Sequence, residues 1–195
     1  MVLLFLLAFS LLVQLVVTSA VQQRSAQQGL FDRFRLELAQ GTAAVGPLDG
    51  PQGVDGDPVP VGAPIAYLEI PALGLSQVVV QGTTPAALFD GPGHRRDSVF
   101  PGQAGTSVVM GRRAAFGGPF SGIGGLEEGD AITVTTGQGI FEYLVIGVRR
   151  EGDPAPEPIS AGEGRLLLAT ADGRPFFPDG VLRVDAELEG DPVGG

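Results

Sequence analysis

Cysteine is absent from the chain, so it can build no disulfide framework, thiolate metal site or cysteine nucleophile. The absence carries no information on compartment, because disulfide-free proteins occur on both sides of membranes. Histidine occurs once, at His94, methionine twice, and aromatics make up only 7% of the residues. Basic charge is also scarce. Twelve Lys+Arg stand against 22 Asp+Glu, for a formal net charge of −10, which argues against a nucleic-acid partner, since phosphate binding needs a basic face.

What is abundant is turn chemistry: 31 Gly and 16 Pro in 195 residues. That composition suits many short strands and turns better than a helix bundle, and it predicts an all-β or mostly-β fold. Once an apolar N-terminal segment is set aside, the length allows one domain with its own core and not two.

Residues 2–21 are apolar apart from Ser10, Gln14, Thr18 and Ser19, and about 20 such residues cross a bilayer core as a helix. Residues 1–21 therefore read as a signal-anchor transmembrane helix. The competing reading is a cleaved signal peptide, with Thr18 and Ala20 as the small residues before the cut; the length of the run and the lack of a basic n-region speak against it. Arg24, Arg33 and Arg35 follow the segment and nothing basic precedes it. By the positive-inside rule alone, the remainder would lie in the cytoplasm. A basic leader upstream of Met1 would reverse that.

Residues 22–40 have helical composition, with Leu30, Phe34 and Leu38 forming a narrow apolar stripe, and predict a juxtamembrane helix continuous with the anchor. Residues 41–64 repeat Gly, Pro and Asp without apolar periodicity and read as an extended linker that holds the domain off the membrane.

Residues 65–190 read as strands divided by turns. Strands are predicted at 65–70, 77–80, 107–110, 131–134, 139–148, 166–171 and 181–188, with a short helix from Pro85 capped by Thr84. In 139–148, Phe141, Tyr143 and Val145 share one face and Ile140, Leu144 and Ile146 the other, which predicts a central strand covered on both sides. The last strand has the clearest register: Leu182, Val184, Ala186 and Leu188 face the core, with Val181, Arg183, Asp185 and Glu187 opposite. Seven or more short strands predict a closed or nearly closed barrel.

The strand 107–110 runs into Gly111 and delivers Arg112 and Arg113 to a loop, a place where catalytic groups often sit. Around it, Gly91-Pro92-Gly93-His94, Pro101-Gly102-Gln103-Ala104-Gly105, Phe116-Gly117-Gly118-Pro119-Phe120 and Leu126-Glu127-Glu128-Gly129-Asp130 together resemble, in order and spacing, the sortase domain, in particular the membrane-anchored sortases of high-GC Gram-positive bacteria. The likeness runs over about residues 65–188. It implies an eight-stranded β-barrel, a plasma-membrane anchor with the domain extracytoplasmic, and kinship with cysteine transpeptidases that cut a Leu-Pro-x-Thr-Gly-type signal and join the product to an amine. That topology outranks the local charge rule.

The resemblance also implies where catalytic groups should stand. The family's histidine, in a Gly-His-Arg motif, falls on Arg112; its cysteine, ending a Leu-Thr-Leu-x-Thr-Cys strand, falls on Ala171; its arginine, five residues before an Ala-x-Leu strand ending, falls on Val181. Alanine offers no lone pair, and a guanidinium stays protonated, so neither can replace what is lost. Thr170 points to the opposite strand face from Ala171. Arg183, on the same face as Val181, remains as a cation that with Arg112, and beside Thr170 and His94, would line a peptide groove; plain solvated arginines are the competing reading. His94 reads as a loop hydrogen-bonder. Glu127, Glu128 and Asp130 read as turn and surface residues without calcium-loop spacing. No cofactor or metal is expected.

These observations predict a catalytically inactive, pseudo-sortase domain that binds a peptide or protein partner, such as a sortase or a sorting-signal protein. The alternatives are a transpeptidase or hydrolase acting through a different set (Asp172, His94 or Arg112) and a structural assembly subunit.

Overall fold

The computed structural model describes residues 2–45, 59–114, 117–174 and 177–192. Eight strands close into one barrel: β1 (Pro64–Ile70), β2 (Leu75–Gln81), β3 (Gly93–His94), β4 (Gly105–Met110), β5 (Ala131–Thr136), β6 (Gly139–Arg149), β7 (Gly164–Arg174) and β8 (Phe177–Leu188). Around the barrel the order is β1-β2-β3-β4-β7-β8-β6-β5. The β2/β3 and β4/β7 contacts are parallel and the rest antiparallel. Parallel pairing makes β4 and β7 finish at the same rim, where β8 begins; this is the upper rim. The β5–β6 turn at Gly137 lies at the lower one.

Period-2 alternation fills the interior. Ile132 and Val134 of β5, Phe141, Tyr143 and Val145 of β6, Leu166 and Leu168 of β7, and Leu182, Val184 and Ala186 of β8 are all buried together. Tyr143 also anchors a turn, its hydroxyl accepting from the Gly102 amide at 2.7 Å. Burial pushes its phenol up to about 12, so it stays neutral.

Cover on both faces of β6 is not found. Ile140 is 70% exposed, and Leu144 and Ile146 are half-buried. A closed barrel has a single interior, so a second apolar face must look outward, and the segment 153–156 lies beside the far end of that face at Ile146.

The N-terminal region is one helix, α1 (Val2–Gln40). Among the described residues no helix is long and apolar enough to cross a membrane. The side chains of residues 2–20 lie mostly outside the described set, and the anchor expected over residues 1–21 lies with them. The C-terminal half of α1 is docked on the barrel. Gln23 Nε2 donates to Gln77 Oε1 at 2.7 Å. Gln27 accepts from the Val78 amide at 2.6 Å and donates to the carbonyls of Val78 and Asp90 at 3.1 and 2.8 Å. Phe31 packs against Tyr67 with ring centroids 4.9 Å apart, and Phe34, from the predicted stripe, is buried.

Both ends of the predicted linker pack on the barrel. Its first residues pack at the lower rim, where Ala43 is buried near Gly137. Val59, at its other end, belongs to the barrel core. Apolar Ala43 and Val59 gain more from that burial than from solvation, despite the Gly and Pro around them. Residues 46–58, the middle of the predicted linker, lie outside the described residues. The short helix α2 (Ala87–Asp90) starts two residues after Pro85, with Thr84 Oγ1 accepting from the Ala87 amide at 3.3 Å.

Candidate functional site

At the upper rim, β4 and β7 stay hydrogen-bonded to their ends. Met110 is level with Ala169, the Gly111 amide donates to the Ala169 carbonyl at 3.0 Å, and Thr170 Oγ1 donates to the Gly111 carbonyl at 2.8 Å. Gly111 is required here by close approach: a methyl group on it would lie 2.5 Å from the ring of Phe120, itself fully buried at the top of the core. The rim is thus rigid up to Gly111, and beyond it the chain delivers two arginines in different directions.

Arg112 turns toward α2. Its Nε donates to the Leu88 carbonyl at 3.1 Å and its Nη2 to the Pro85 carbonyl at 3.2 Å, and the guanidinium sits 4.6 Å over the Phe89 ring. Partial burial draws its pKa below the usual arginine value, yet a guanidinium remains charged in a protein.

Arg113 turns the other way, onto β7. Its Nη1 donates to the Ala171 carbonyl at 3.1 Å and to Asp172 Oδ1 at 2.7 Å. Arg150 closes on the second carboxylate oxygen at 3.0 Å. Asp172 is therefore held between two guanidinium groups, and its pKa lies below the ordinary carboxylate value, first through the hydrogen bond from Arg113 and then through the Gly173 amide. A carboxylate so held is a weak base.

Ala171 is exposed on the outer face of β7, directly opposite Val181 on β8. Arg183 lies opposite Ala169, two residues further from the rim, and level with Arg149 on its other side. Its side chain makes no hydrogen bond or ion pair among the described residues. The two arginines expected to share a groove are not brought together: Arg112 is bound to the α2 segment, while Arg183 stands on the outer face of β8.

Two other expected groove residues are not surface groups. Thr170 is buried, its hydroxyl spent on Gly111. His94 is fully buried, with Nδ1 2.8 Å from Gln81 Oε1 and Nε2 2.8 Å from the Val99 carbonyl and 3.1 Å from Ser98 Oγ. Desolvation lowers its pKa below 6.5. It shares no partner with Asp172 or Arg112, so the structure assembles no alternative set from these three.

The Arg113–Asp172–Arg150 cluster escaped the sequence analysis, which weighed Arg112 as the catalytic-position residue. Strand alternation gives side-chain direction only as far as Gly111, and Arg150 comes from the end of β6, distant in sequence. A hollow of about 360 Å³ opens between β6, β8 and the segment 153–156; Arg183 does not line it but is level with its lining residue Arg149 on the neighbouring strand. Ile146, Val148, Pro154 and Pro156 line it, and Arg149 and Asp185, joined by bonds of 2.6 and 3.2 Å, form its polar wall. Among the described residues no group of three or more His, Asp or Glu is placed to hold a metal.

A sequence model of the sortase domain matches residues 68–172, more than half of the chain. The chain belongs to the sortase family. Sortase D of Bacillus subtilis is 34% identical over 79 residues, a match spanning 40% of this chain and only 38% of the length of that relative. The sortase D5 transpeptidase of Clostridium perfringens superposes with a TM-score of 0.68 over 85% of this chain and 99% of its own, at 21% identity, a likeness of fold. Sortase E of Streptomyces avermitilis gives a TM-score of 0.58 over 69% of this chain and 93% of its own, at 30% identity.

Proposed function

We propose that this chain is a membrane-anchored, extracytoplasmic pseudo-sortase that binds a peptide or protein partner at the cell envelope and does not cut it. The observation that carries the reading is Ala171 at the position where the family's nucleophile stands, in a chain without cysteine. Removing the nucleophile from a related type of hydrolase costs about a millionfold in turnover. Arg112 in the histidine position cannot exchange a proton near neutral pH, and it is tied to two carbonyls. Asp172, the carboxylate next to Ala171, is held by Arg113 and Arg150 and is a poor candidate for a replacement base.

The binding half of the reading rests on this hollow, with Arg183 level with its lining residue Arg149 on the neighbouring strand. Apolar walls next to a guanidinium suit an extended segment carrying a carboxylate. The apolar run 2–21 supports the anchor.

Two experiments test the proposal. The purified domain is incubated with a sorting-signal peptide and an amine acceptor; no cleavage is expected, and cleavage above background in a preparation free of other sortases would overturn the inactive reading. Ala171→Cys is expected to stay without turnover, because Arg112 cannot act as base, although a thiol reagent will label it. Crosslinking from the native membrane is expected to capture a partner, with capture lost in Arg183→Glu. Undiminished capture in Arg183→Glu would sink the groove assignment, and a stable partner without peptide affinity would favour the assembly-subunit reading.

A further inference from the structure

Helix α1 enters the barrel at the upper rim and leaves it at the lower. Gln23 bonds Gln77 near the start of β2, and a side chain on Gly117, in the loop after Arg113, would meet Gln23 Oε1 at 2.6 Å. Gln27 bonds the carbonyl of Asp90 at the end of α2. Twenty residues after Gln23, Ala43 packs beside Gly137 at the lower rim. The helix is thus a strut lying along the barrel, and its direction decides which rim faces the end from which the apolar run arrives.

That run ends at Val21, two residues before Gln23, or about 3 Å along the axis at helical rise. A bilayer has a hydrocarbon core of about 30 Å within a total of about 40–45 Å, which leaves a headgroup layer of about 5–8 Å on each side. If Val21 stands at the edge of the hydrocarbon, Gln23 and the loop beside it stand among the headgroups. Gln27 and α2 follow about 6 Å deeper into the aqueous side, at its boundary.

We infer that the upper rim, on its β2–β4 side, rests on the phospholipid headgroups, so that the degenerate site opens onto the membrane surface and not into bulk solvent. The side chains there fit that neighbour. Arg24 is exposed on α1, Phe89 is 40% exposed on α2, and Arg112 lies over its ring. An aromatic ring with arginines beside it suits the boundary between headgroups and water. The acidic residues of the same rim, Glu127, Glu128 and Asp130, precede β5, and the backbone of Gly129 and Asp130 is bonded to Val145 of β6, which puts this segment on the opposite side from α2. The chain's net negative charge is therefore no obstacle to contact along this one edge. A partner reaching the site would be one that already lies at the membrane.

The inference rests on the anchored reading above, and the test separates the two. With no native cysteine, single thiols can be placed at will. Full-length Phe89→Cys, Ser121→Cys and Ile140→Cys are labelled with an environment-sensitive fluorophore and reconstituted in phosphatidylcholine–phosphatidylglycerol vesicles. Ser121 and Phe89 report the upper rim by two independent substitutions, and Ile140 is an exposed position at the lower rim. Alkaline carbonate extraction is read first. The expected result is retention in the membrane, with loss of most of the Phe89→Cys and Ser121→Cys fluorescence to a headgroup-attached quencher and little loss from Ile140→Cys. Retention with equal quenching at all three positions would overturn the inference while leaving the anchor standing. Release by carbonate would overturn the anchored reading and the inference with it.

Discussion

Arg113, unlike Arg112, shapes the upper rim beside Ala171, because it ties the Ala171 carbonyl and the Asp172 carboxylate into one bonded unit. Its neighbour Arg112 is a fixed charge tied to the α2 segment. His94 belongs to the fold and carries a pH dependence. Its folded pKa lies below the unfolded value of 6.5, chiefly through desolvation, so the unfolded chain binds the extra proton first. The stability it contributes is complete above pH 6.5 and is lost as pH falls from 6.5 toward the folded value. Thermal melts across that window should show a falling Tm that flattens in His94→Gln. A second expectation concerns Gly111. Gly111→Ala forces a methyl group into the Phe120 ring and should cost about 1–3 kcal/mol in urea unfolding, the usual range for overpacking a filled core.

Among the elements, α1 depends on one side chain more than on its apolar stripe. Gln27 makes three hydrogen bonds to backbone of the barrel and of α2. Gln27→Ala leaves the amide of the buried Val78 without its acceptor and should cost about 1–3 kcal/mol, seen as earlier proteolytic release of the helix with the barrel still intact. The strands show what a sequence can and cannot disclose. The register of β8 was legible because Arg183, Asp185 and Glu187 alternate strictly with Leu182, Val184 and Ala186. The outer face of β6 was misread because Ile140, Leu144 and Ile146 are apolar yet have no second layer to meet. Docking of α1 was hidden for a different reason: polar glutamines, not the hydrophobic stripe, carry the contacts nearest the rim. At the site, motif order singles out Ala171 and Arg112 as positions to look at, whereas the partners of Arg112 and the bracing of Asp172 depend on backbone brought in from segments far apart in the chain.

At the scale of the whole molecule, the strand order has a consequence for synthesis. The last strand does not sit at the end of the sheet; β8 lies between β6 and β7, which are otherwise unpaired with each other. Until residues 177–188 emerge, the sheet can form only as an open sequence running from β7 through β4, β3, β2, β1 and β5 to β6. Its two borders are strands of 11 residues each, long edges of the kind that invite pairing with another chain. A chain ended after Arg174 should accumulate in the insoluble fraction, and adding residues 177–188 as a separate peptide during refolding should recover soluble material; full solubility of the truncated chain would contradict this. From the completion of β7 at Arg174 until β8 pairs with both borders the sheet stays open, so β8 acts as a latch, and mutations within it are the ones most apt to turn this barrel into an aggregate.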